Sequence, residues 1–269
     1  MRKQYLILSI FISLILLFFS CGRSSNDHPS SQDKSKISKH TYPEDYLTDI
    51  EGNQYKTVTI ENQTWMAENL NVDKFRNGDP ILEAKTDEEW RKARKNKQPA
   101  WCYYNNDPAN GEKYGKLYNS YAVNDPRGLA PQGWKIPSYM DWRSLTSNIG
   151  GLAFVTTGAV GVSGKNMKFT DFWADYNGES GNGTNESGFS GLSGGARYND
   201  GTFDGIGKYG YWWSSSTTNC DNAYYLLLSY SDDDSYRNYW PGGAEYGSRN
   251  IGRGNTNRGF GYSVRCLKD

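Results

Sequence analysis

The order of apolar and polar positions divides the chain into three stretches. Residues 1–20, MRKQYLILSIFISLILLFFS, are apolar from Tyr5 to Phe19 behind a basic start at Arg2 and Lys3. Residues 22–45, GRSSNDHPSSQDKSKISKHTYPED, hold almost no large apolar side chain. From Tyr46 to Asp269 the texture is uniform, and local periods predict elements. YKTVTI (55–60) alternates, Glu61-Asn62 turns, and QTWMAENL (63–70) returns, which predicts a β-hairpin. TDEEWRKARKNK (86–97) predicts a short helix, with Thr86 and Glu89 at capping-box spacing. PSYMDWRSLTSNIGG (137–151) predicts a second: Ser138 caps, Asp141 takes the third helical position, and Trp142, Leu145 and Ile149 share one face. Gly150 and Gly151 end it.

The second half reads differently. Residues 178–210 are glycine-dominated, with short extended pieces only. GYWWSSS (210–216) alternates, placing Tyr211, Trp213 and Ser215 on one face and Trp212, Ser214 and Ser216 on the other. AYYLLLSY (223–230) follows, SDDDS turns, YRNYW (236–240) returns, and GFGYSVRCLKD closes the chain as a terminal strand. The predicted class is α+β, with two helices early and a β-rich second half carrying long loops.

Composition sharpens this picture. The chain has 21 Tyr, 9 Trp and 30 Gly, and long aliphatic runs are missing after the first stretch. Its core must be built largely from aromatic rings, with glycines making room in tight turns. The apolar run 5–19 is shorter than the roughly 20 residues of a membrane span and suits a secretory signal. It ends at Ser20-Cys21, which resembles a bacterial lipobox. The expectation is a signal peptide over 1–20, a lipidated Cys21, a flexible tether over 21–45 and one folded domain over 46–269. An ordinary signal peptide or an uncleaved anchor is the alternative. Attachment would be to the membrane through the lipid, in the cell envelope, on the outer membrane, with either face open.

Charge and residue inventory limit the chemistry. Lys plus Arg and Asp plus Glu both number 30, with no basic stripe, so nucleic acid is not an expected partner. Both histidines, His28 and His40, lie in the tether. The domain therefore has no Ser-His-Asp triad and no histidine-based zinc site, and Ser214, Ser215 and Ser216 lack an ordinary general base. No cofactor or metal is expected. Asp232, Asp233 and Asp234 offer oxygens for calcium, but a turn between strands is the better reading. Export favours disulfides, and among Cys102, Cys220 and Cys266 the pair Cys220–Cys266 is the first expectation, Cys102–Cys266 the second, and three free thiols the alternative. Arg197 and Arg265 are read as structural cations holding loops.

Six pieces, in order, carry a family resemblance: QTWMAENL, YGKLYNSYAV, APQGWKIPSYMDWRSL, SGFSGLSGGAR, GYWWSSS and GYSVRCL. Together they resemble the Fibrobacter succinogenes major paralogous domain over nearly all of residues 46–269. The resemblance implies a C-type-lectin-like fold: two helices, a small twisted antiparallel sheet and long loops on one side. It supplies little chemistry, because biochemical function in that family is mostly unassigned. Ser120 stands where relatives often carry Trp, and the calcium-site motifs of lectins (Glu-Pro-Asn or Gln-Pro-Asp, then Trp-Asn-Asp) are missing. Formylglycine-generating proteins share the fold group, but their reactive cysteines cannot be matched to Cys220 and Cys266. In a lectin-like fold the loop segment SYRNYWPGGAEY lies near the ligand face, which makes Tyr236, Tyr239, Trp240 and Tyr246 candidate ligand contacts. The expected function is non-catalytic binding of a surface polymer, glycan or protein. The alternatives are an envelope scaffold without a small ligand, or an enzyme related to the formylglycine-generating group.

Overall fold

Alternation within GYWWSSS corresponds to a strand buried on both faces. In the computed structural model, which describes residues 46–149, 163–231, 245–248 and 251–269, Trp212 and Trp213 are both fully buried. The described residues lie within one unit, Pro43–Asp269.

The strands in chain order are β1 (Tyr46–Thr48), β2 (Gln54–Ile60), β3 (Gln63–Met66), β4 (Leu82–Glu83), β5 (Ala100–Cys102), β6 (Leu117–Asn119), β7 (Trp134–Lys135), β8 (Gly194–Arg197), β9 (Phe203–Ile206), β10 (Tyr209–Thr217), β11 (Asn222–Ser229), β12 (Glu245–Ser248), β13 (Ile251–Asn257), β14 (Gly261–Tyr262) and β15 (Leu267–Lys268). The helices are α1 (Asp87–Lys95), α2 (Pro108–Tyr114), α3 (Ser120–Val123), α4 (Tyr139–Asn148) and α5 (Ser163–Met167). Five strands form one sheet in the order β1-β2-β3-β15-β7. Ten form a second, running β12-β13-β11-β10-β8-β14-β6-β5-β4, with β9 on β8.

The α+β class holds, but the architecture is larger than two helices and one small sheet. α2 and α3 begin at Asp107 and Asn119, whose side chains accept the N–H of Ala109 and Ala122. Both helices are too short for an apolar period to announce them. α1 and α4 start where expected, each with a complete capping box, Thr86 with Glu89 and Ser138 with Asp141. The β2–β3 hairpin turns at Glu61-Asn62, with Glu61 at φ 53°. The expected terminal strand is two short ones: β14 pairs with β6 and β8, and β15 with β3 and β7.

β10 and β11 pair in register Tyr211↔Leu227, Trp212↔Leu226 and Trp213↔Tyr225. One face gives Tyr211, Trp213, Tyr225 and Leu227 to the larger core. The other gives Trp212, Leu226 and Leu228 to a second core, which Trp142 and Leu145 of α4 complete. Aromatic contacts replace the missing aliphatics: Tyr211 stacks on Tyr262 at 4.7 Å between centroids, and Trp65 lies 4.8 Å from Trp142. The serines after the tryptophans are structural. β10 bulges between Trp213 and Thr217, Ser215 N–H donates to Pro137 O, and Ser216 Oγ accepts Tyr139 N–H at the start of α4.

The Cys220–Cys266 bridge is not formed. Cys220 sits exposed in the β10–β11 turn, whereas Cys266 is buried, its N–H against Met66 Sδ at 3.4 Å; Cys102 is also buried and free. The two arginines hold loops as expected. Arg197 is fully buried between the Trp90 and Phe203 rings and donates to Gly201 O, Ala84 O and Asp87 Oδ1. Arg265 is fully buried without an ion pair among the described residues, and burial pushes its guanidinium down to about 9.

Candidate functional site

An open cleft of about 650 Å³ lies where β2, the segment after β3, α2 and the loop before β8 converge. Its floor is set by Asn69, a buried residue that spends all of its amide internally. Asn69 Oδ1 accepts Trp212 Nε1–H (2.8 Å) and Arg265 Nε–H (3.0 Å), and its Nδ2 donates to Tyr114 O (2.8 Å) and Ser263 Oγ (3.3 Å). Arg265 also donates to the carbonyls of Phe189 and Ser190. The loop that closes the cleft is thereby fastened to the core from below. Gly115, at φ 72°, lets the end of α2 pass close to this floor: a Cβ there would stand 3.0 Å from Asn69 Cβ and Leu70 O.

One wall is amide-rich. Asn53, Gln54 and Asn71 line it beside Tyr55, whose hydroxyl donates to Asp49 Oδ2 at 2.6 Å and accepts Asn71 N–H at 3.1 Å. Asn71 Oδ1 is buried with no hydrogen-bond partner among the described residues. Behind Asn71 stands Lys116, buried over the Trp101 ring and donating to Asn71 O at 2.8 Å. Burial lowers the Lys116 ammonium, against the pull of Asp73 and Glu51. The Glu51 carboxyl is raised, first by burial and then by its hydrogen bond with Asp73.

The opposite rim is aromatic. Phe169 and Phe172 stack at 6.1 Å and 17°, and Phe172 is 39 % exposed. Phe172 also holds φ 72°, a backbone region uncommon for a bulky residue and a pointer to function when found at a cleft rim. Asp171 Oδ1 accepts its N–H at 2.7 Å. Lys113 of α2 places its ammonium 3.2 Å from the Phe172 ring centroid. Among the described residues of the lining, the two carboxylates, Glu68 and Glu112, are exposed, and there is no cysteine, histidine or aspartate.

The model of the Fibrobacter succinogenes major domain matches residues 58–268. The chain belongs to this family. No curated protein and no solved structure matched the chain in the corresponding comparisons. The cleft draws on segments read as signatures of the Fibrobacter succinogenes major domain, QTWMAENL and SGFSGLSGGAR among them, and on residues 53–56 just ahead of the matched range.

The sequence-predicted ligand contacts fall almost entirely beyond the described residues. Tyr236, Tyr239 and Trp240 fall outside the described residues, as do Asp232, Asp233, Asp234 and Cys21. The backbone of Tyr246 lies on β12, opposite Gly252. Among the described residues no group of three or more His, Cys, Asp or Glu is placed to hold a metal ion. Phe172 and Lys113 went unnoticed in the sequence. The available signal was FTDFW (169–173), three rings within five residues in an otherwise polar loop.

Proposed function

We propose that the protein is a non-catalytic, lipid-anchored envelope protein whose lectin-like domain binds a surface glycan in the cleft between β2, α2 and the Phe169–Leu192 loop. The observation that carries this reading is the pairing of amide groups on one wall with a stacked pair of rings on the other, half-buried Phe169 and exposed Phe172. Amides bond to hydroxyl groups in both directions, and ring faces pack on the C–H faces of sugars. Cleft volume fits as well, since ligand sites run from about 300 to 1,000 Å³. Binding without calcium follows from the lack of lectin calcium motifs in the sequence. The non-catalytic assignment rests on the domain sequence, in which residues 46–269 hold no histidine to serve as a general base.

The full-length protein, solubilised in detergent, is applied to an array of soluble polysaccharides alongside Phe172→Ala. Retention of the parent on at least one polysaccharide, lost in the variant, is the expected result. No retention on any polysaccharide, with envelope proteins still captured, would instead favour an interaction module. Lipid attachment has a separate test: Cys21→Ala should move the protein out of the membrane fraction, and an unchanged distribution refutes the anchor.

A further inference from the structure

The resting cleft already holds a cation where a ligand would stack. Phe172 has Phe169 against it in a stacked arrangement and the Lys113 ammonium 3.2 Å from its centroid. An aromatic face is electron-rich, so it attracts an ammonium and the C–H face of a sugar for the same electrostatic reason. Both cannot lie on one ring face together. Lys113 forms no ion pair among the described residues, and it projects from the exposed side of α2. The ring, by contrast, is fixed from its backbone, through the Asp171 contact to Phe172 N–H and the Ser193 hydroxyl donating to Phe172 O. One partner of the contact is therefore anchored and the other can swing.

We infer that Lys113 is a resident competitor: it occupies the face of Phe172 that a neutral sugar ring takes, and it is displaced when the cleft fills. This rests on reading the cleft as a glycan site. It assigns Lys113 a role in setting affinity and Phe172 the role of platform. A cation–π contact at an exposed site corresponds to about a 2- to 5-fold change in an equilibrium constant. Lys113→Ala should therefore bind a neutral polysaccharide about 2- to 5-fold more tightly than the parent, whereas Phe172→Ala should bind at least 10-fold more weakly.

The test uses the full-length protein in detergent, with mixed-linkage β-glucan and galactomannan as neutral probes and polygalacturonate as an anionic one. Dissociation constants come from titration calorimetry. Lysine-labelled samples report the Lys113 side-chain protons, which the Phe172 ring current shifts upfield in the parent and not in Phe172→Leu. Saturation with a neutral probe should return them to the open-chain position. If a probe binds but Lys113→Ala gains nothing, or the Lys113 resonances stay in place at saturation, the competitor role is overturned and the glycan reading stands. If no probe binds parent or variant, both fall. Tight binding of polygalacturonate that needs Lys113 would also overturn the proposal, since the lysine would then be a ligand contact rather than a competitor.

Discussion

Replacing Asn69 with leucine keeps the volume of the side chain and removes every polar contact it makes. Four groups lose a partner: Trp212 Nε1, Arg265 Nε, Tyr114 O and Ser263 Oγ. The Ser263 hydroxyl can rotate, and Arg265 keeps its carbonyl acceptors. That leaves Trp212 Nε1 and Tyr114 O with no other hydrogen-bond partner among the described residues, and Arg265 weakened. An orphaned buried group costs about 1–3 kcal/mol. The summed loss is about 3–5 kcal/mol, a large part of the roughly 5–15 kcal/mol by which domains are stable. Urea unfolding followed by tryptophan fluorescence measures it. With a slope of about 3 kcal/mol/M, the midpoint should fall by about 1–1.7 M. A double-mutant cycle isolates the indole. Once Trp212→Phe has removed the N–H, Asn69→Leu no longer orphans it, so the two changes should couple by about 1–2 kcal/mol. A loss under about 1 kcal/mol for Asn69→Leu, or strict additivity in the cycle, refutes the view that this amide holds the cleft floor.

Two further outcomes concern the thiols and the Glu51 carboxyl. In the native domain Cys220 should react with a thiol reagent at once, while Cys102 and Cys266 should react only on unfolding, both buried and the Cys102 thiol pushed up to about 12; Cys220→Ser should abolish the fast phase, and three fast thiols would refute the burial. Glu51 titrates above its usual 4.5 in the folded state, so the folded state holds that proton more firmly and stability is lost as pH rises from about 4.5 through the folded pKa. Glu51→Gln cannot ionise, so its stability relative to the parent should rise across that window and then stay level; a fall in urea-melt comparisons over the same window is the contrary result.

The elements that were legible in the sequence are those with a local cause. The capping boxes at Thr86 and Ser138, the turn at Glu61-Asn62 and the alternation through Tyr211, Trp212 and Trp213 all act within a few residues. The elements that escaped are set by partners far along the chain. β15 is two residues long and exists because β3 and β7 lie on either side of it. The cleft escaped for the same reason. Asn69 and Arg265 are 196 positions apart, and only the fold makes them neighbours. Phe172 was hidden by its polar loop, since nothing in FTDFW says that the second ring stays half outside. Cys266 was misjudged because chain proximity to the β-rich end said nothing about burial against Met66.

The last nine residues have a consequence for timing. β14 sits between β8 and β6 near the middle of one sheet, and β15 sits between β3 and β7 in the other. Arg265, between them, ties the loop before β8 to the floor of the cleft. A chain delivered from its N-terminus therefore carries two unfinished sheets until residues 261–268 arrive, and neither can close early. Such a molecule completes its two sheets, and with them the floor of its cleft, in one late step, when β14, Arg265 and β15 dock together.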